Sequence, residues 1–91
     1  MVVADGDGLP LASSGDTLAC DEVAARMVIV GQKIERFAGT LLGAGICYEV
    51  QMLKLMIDDS EFLVCAVGGS AKDRDRQISR GASGAIRILA A

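Results

Sequence analysis

The chain has 91 residues, a mass of 9.4 kDa and a net charge of −3, with 52% hydrophobic and 23% charged residues. That length holds one domain with one core, and so apolar a composition excludes a disordered segment. The acidic balance and the sparse aromatics (Phe37, Tyr48 and Phe62) exclude a typical nucleic-acid binder, which presents a basic patch and stacking rings.

Residues 2–4 and 9–13 are short apolar stretches on either side of Asp5-Gly6-Asp7-Gly8, a strong hairpin signal because glycine tolerates the positive φ of a tight turn. Pro10 cannot donate to a ladder, so the second arm is expected to be an edge strand, or to begin after Pro10. Asp16 or Thr17 is placed to cap a long helix that runs to about Leu42 and ends at Gly43 and Gly45. Within it Val23, Met27, Val30, Ile34, Phe37 and Leu41 alternate steps of four and three and form a sheet-facing seam. Ala24, Val28, Gly31, Ala38 and Leu42 flank that seam, and Ile29 lies further round still. Together the rows are wider than one buried stripe needs, which predicts a second helix packed alongside, most simply the same helix of a second subunit. On this reading Gly31→Leu breaks the dimer and Ile34→Asp unfolds the chain.

Ile46–Ile57 reads as one strand of about twelve residues or as two with a break near Met52–Lys54. Asp58-Asp59-Ser60 is a turn, Glu61 to Val67 is a strand, and Gly68-Gly69 closes it. Ser70 with Asp73 fits a capping box for a last helix from about Ala71 to the chain end, with Ile78, Ala82, Ala85, Ile86 and Leu89 on one face. Gly81, Ser83 and Gly84 weaken that helix and make it depend on tertiary contacts. The whole is a single α+β domain over residues 1–91. It has an antiparallel sheet of four to five strands, a long central helix and a C-terminal helix, in the order β-β-α-β-β(-β)-α.

Chemistry is sparse along this chain. The absence of histidine removes Ser-His and Cys-His nucleophile pairs and His-ligated zinc. Cys20, Cys47 and Cys65 are odd in number and widely spaced, and are expected to be buried small hydrophobes in a reducing cytosol. Asp5-Gly6-Asp7-Gly8 is not continued by the oxygen ligands of a calcium loop. Gly43-Ala44-Gly45 and Gly68-Gly69 lack the continuation of a phosphate loop. The carboxylate pairs Asp58-Asp59 and Asp73/Asp75 read as turn and cap residues. No catalytic, cofactor-binding or metal-binding residue is assigned, and the chain is expected not to be an enzyme. Met1–Ala4 lacks a basic n-region and runs at once into Asp5 and Asp7, and the run Met27–Val30 is too short to span a bilayer, so a cytoplasmic protein without membrane insertion is expected.

The opening Val2-Val3-Ala4-Asp5-Gly6-Asp7-Gly8-Leu9-Pro10-Leu11-Ala12-Ser13 resembles the first hairpin of roadblock / dynein light chain domains. Asp21-Glu22-Val23-Ala24-Ala25 through Leu42-Gly43 is similar to the long helix that follows in that family, and Glu49 to Val67 to its later strands. Many family members begin with a helix before the first strand, whereas here Met1 starts the strand. One sheet face is then left for the C-terminal helix to cover alone or with a partner. The resemblance implies a roadblock/profilin-like fold and a homodimer, or a dimer with a paralogous roadblock subunit. It implies a non-catalytic platform that binds and regulates or localises a small Ras-like GTPase. The alternatives are a purely structural light-chain or scaffold subunit and, behind it, a small-molecule-sensing domain of the related profilin-like type. Helix pairing is implied at Ala24, Val28, Gly31, Glu35 and Ala38. Edge-to-edge joining of sheets is implied at the strand carrying Tyr48, Val50 and Met52.

Overall fold

Asp5 shapes the first turn. Its Oδ1 accepts from the backbone of Asp7 at 2.9 Å and of Leu9 at 3.0 Å, and Gly8 takes a positive φ of 83°. The computed structural model in which this is seen describes residues 1–43 and 46–89, with side chains described for 1–41 and 47–88. The turn joins β1 (Val2–Asp5) to β2 (Pro10–Ser13), and they are followed by α1 (Thr17–Gly31), β3 (Arg36–Gly43), β4 (Ile46–Ile57), β5 (Ser60–Val67) and α2 (Ala71–Leu89). The strands form one antiparallel sheet in the order β2-β1-β5-β4-β3. The α+β class and the five-stranded form of the expected order are both present. Pro10 opens β2, and β2 is an edge, where a missing N–H costs least. Ile46–Ile57 is one strand.

The central helix is shorter than its periodicity predicts. Asp16 caps it, its Oδ1 accepting from Leu18 N at 2.9 Å and Ala19 N at 3.2 Å. The helix stops at Gly31, not near Leu42, and residues 36–43 become β3. Lys54, reaching across from β4, donates through Nζ to the Gly31 carbonyl at 2.9 Å and sets a positive charge at the negative end of the helix dipole. Of the glycines expected to end the helix, Gly43 lies in β3 and Gly45 falls outside the described residues. Phe37 and Leu41 are core-facing as expected, but from a strand: a spacing of four satisfies one face of a helix and one face of a strand alike.

The sheet separates two apolar layers, and strand alternation sorts residues between them. On the α1 side Val2, Ala4, Leu63 and Cys65 meet Val23, Ala24 and Met27. On the α2 side Val3, Val64 and Ile57 meet Ala85 and Ile78. At two points a helix approaches so closely that a Cβ in place of glycine forces a neighbour to move. A Cβ on Gly31 would stand 2.9 Å from Leu63 Cδ2, and one on Gly81 would stand 2.7 Å from Val64 Cγ1. Gly81 is thus the tertiary contact that the glycine-weakened α2 requires.

Ser70 caps α2 by accepting from Asp73 N at 3.1 Å, and Arg74 pins the first turn to the sheet. Arg74 donates from Nε to Gln51 Oε1 at 3.0 Å. From Nη1 it reaches Glu49 Oε2 at 3.2 Å and the carbonyls of Gly68 at 3.0 Å and Gly69 at 2.6 Å. From there α2 runs over β4 and β5. Val3 is the part of β1 that reaches under α2, and all four residues of β2 beyond it are exposed. Ala85 and Ile78 pack inward as expected, Ile86 is half exposed, and the Leu89 side chain lies outside the described residues.

The β4–β5 turn holds the first of the testable strains. Asp58 and Asp59 sit at φ 49° and 66° between the paired residues Ile57 and Ser60, the signature of a two-residue type I′ hairpin. Left-handed backbone costs a non-glycine residue about 1 kcal/mol, and glycine returns about half of that gain as unfolded-chain entropy. Asp59→Gly is therefore expected to stabilise the chain by about 0.5 kcal/mol in urea denaturation. A loss of stability would place the worth of Asp59 in its side chain.

Candidate interaction surfaces

Among the described residues no three His, Cys, Asp or Glu side chains stand close enough to hold a metal ion, and no buried side-chain nitrogen or oxygen lacks a partner. No described helix is long and apolar enough to cross a membrane. Cys20 and Cys65 are buried as expected, and burial pushes the Cys65 thiol up to about 12, so it stays protonated at neutral pH. Cys47 departs from the expectation: it is exposed on β4.

The residues expected to pair two subunits are scattered by the early end of α1. Ala24 is fully buried beneath α1, Val28 is half-buried against the same core, and Gly31 faces Leu63. Glu35 and Ala38 are not on the helix at all. Glu35 precedes β3, where its carbonyl accepts from Lys54 N at 2.8 Å, and Ala38 is an exposed residue of β3. Gly31→Leu is therefore a probe of core overpacking. Ile34 is 42% exposed in the connection after α1, so it lies outside the sheet-facing seam and Ile34→Asp places no charge in the core.

The expected joining edge is not an edge. β4 lies between β3 and β5, with Val50 opposite both Gly39 and Val67. Val50 and Met52 are buried in the layer beneath α1. Tyr48 is half-buried in the same layer, and its hydroxyl lies 3.5 Å from Glu22 Oε2. Burial first, and then the charges of Glu22 and Asp16, hold the Tyr48 phenol above its ordinary pKa.

Two features face outward instead. On α1, Leu18 is 80% exposed, Ile29 is 63% exposed and Ala25 is exposed between them. Their spacing of seven and four puts them on one stripe, opposite the buried row of Cys20, Val23, Ala24 and Met27. The Glu22–Arg26 pair, at 3.4 Å, flanks that stripe. The second feature is β3, the edge of the sheet opposite β2, with Arg36, Ala38 and Thr40 exposed. Sequence periodicity sets Ile29 apart from both apolar rows, and that is the one sign of this surface visible without coordinates. Comparison with protein-family models, curated proteins and solved structures yields no match.

Proposed function

We propose that the chain is a non-catalytic dimeric platform that binds, and regulates or localises, a small Ras-like GTPase, its dimer partner being a second copy or a paralogous subunit. The observation that carries the dimer is the exposed apolar stripe of Leu18, Ala25 and Ile29 on the outer face of α1. An apolar stripe on a helix is costly to leave in water. A two-fold axis that sets α1 of one copy against α1 of the other covers the stripe on both. The resemblance of the first hairpin to roadblock domains supports a dimer and supplies the GTPase as its partner.

Light scattering across a dilution series tests the dimer. A mass near twice 9.4 kDa that persists on dilution is expected. Ile29→Asp is expected to weaken the dimer about 100-fold, because a carboxylate buried without a partner costs about 3 kcal/mol. Its circular dichroism should be unchanged, since Ile29 contributes little to the core. A persistent Ile29→Asp dimer would remove α1 from the interface. The functional half is tested by capture of a GTPase from source lysate with GTP analogue and with GDP. Capture that differs between the two states is the expected result, because a partner reads a switch only through differential affinity. Equal capture would reduce the role to a structural subunit.

A further inference from the structure

The opposite side of the molecule holds a second surface, separate from the α1 stripe and the β3 edge. Between α2 and the β1–β2 hairpin runs an apolar groove of about 410 Å³. Val3, Gly81 and Ala85 are buried in its floor, and the exposed side chains of Leu11 and Ile88 line it further out. Val3 of β1 already packs under α2, and beyond it β2 is exposed along its whole length. The apolar flank of α2 beside β2 is thus open to a second helix packed alongside at an interaxial distance of about 8–10 Å.

Charge decides what kind of helix fits. Arg80 stands on the rim of the groove, and Arg76 and Arg87 are four residues before it and seven after it. At 3.6 residues per turn the three form one stripe along the outer flank of the groove-lining residues. All three are exposed, and none is paired with a carboxylate among the described residues. Helix α2 has five cations and two anions, so the α2 of a second copy would meet it with like charge. We propose that this groove is a docking site for an amphipathic helix of a partner protein. Its apolar face lies on Val3, Leu11 and Ile88, and its acidic flank meets Arg76, Arg80 and Arg87.

The groove can be filled without touching the core. A Cβ added at Gly84 meets no atom within 4 Å, and any side chain there raises helix propensity, so Gly84→Leu folds while blocking the site. The probe is a labelled peptide of about 14 residues, roughly four helical turns, with leucines on one face and glutamates on its flank. Its counterpart carries lysines in place of the glutamates. Binding is read by fluorescence anisotropy, and the site by backbone amide shifts.

The acidic peptide is expected to bind, with shifts at Leu11, Ala12, Gly84 and Ile88. Gly84→Leu should weaken it about tenfold or more. The triple variant Arg76→Glu, Arg80→Glu, Arg87→Glu should reverse the preference toward the lysine peptide. Equal affinity for both peptides, shifts confined to α1 and β3, or no binding of either peptide overturns the proposal. So does the appearance of the same groove shifts when the chain alone is concentrated, which makes the occupant a second copy. Capture by phosphatidylserine-containing vesicles that Gly84→Leu leaves intact, in place of peptide binding, would make the basic stripe a membrane surface and overturn it as well.

Discussion

Leu63→Ala is expected to cost about 3 kcal/mol and to lower the thermal midpoint by about 10–20 °C. Leu63 is 2% exposed and lies in the layer beneath α1 with Met27, Cys65 and Ala4. What raises the cost above a simple transfer loss is the glycine opposite. The Leu63 side chain packs into the notch left by the absent Cβ of Gly31, so its removal leaves a void against the end of α1. The two positions should therefore be strongly coupled. Gly31→Ala alone is expected to force Leu63 to shift, because its Cβ would stand 2.9 Å from Leu63 Cδ2. In the Leu63→Ala background the same methyl group enters empty space and restores part of the loss. Additive single and double variants in urea denaturation would refute this account of the contact.

Arg74→Met is expected to lose about 2 kcal/mol, seen as a lower unfolding midpoint and lost hydrogen-exchange protection in the first turns of α2. The Arg74 side chain is 11% exposed and its partner Glu49 is 66% exposed. An ion pair that open contributes little, so Glu49→Gln should change stability by no more than about 0.5 kcal/mol. The weight falls on the Gly68 and Gly69 carbonyls and on Gln51, which the planar guanidinium reaches together. Arg74→Lys should consequently fail to rescue, since an ammonium is a point donor without the fork geometry. Full rescue by lysine would mean that charge alone holds α2 to the sheet.

Local signals were the most legible part of this chain. The Asp-Gly turn, the Asp16 and Ser70 caps, the Asp58-Asp59 turn and the edge character of β2 each follow from the chemistry of a few adjacent residues. The end of α1 was hidden because Phe37 and Leu41 satisfy both periods, and because the group that caps its last carbonyl, Lys54, lies in another strand. The surfaces were hidden for a related reason. Apolar rows around α1 indicate that more than one face is covered, but their phase against the sheet is fixed by Gly31 meeting Leu63, a contact between distant parts of the chain. Once that phase is set, Ala24 and Val28 turn inward, and Leu18 and Ile29 are left outside.

The strand order also has a consequence in time. β1 is wedged between its hairpin partner β2 and β5, so Val2 pairs with Cys65 and Asp5 with Phe62. Those partners are about sixty residues apart, whereas β3, β4 and β5 follow one another and pair locally. Closing the long loop is the slow step, because its entropy must be lost before the β1–β5 contacts form. On a ribosome the first strands to leave the tunnel are thus the last to find their place. Until β5 and α2 have emerged, the β1–β2 hairpin, with Leu9 and Leu11 exposed, stands as an unshielded ribbon, the point at which nascent chains are most prone to associate and a chaperone would have most to hold.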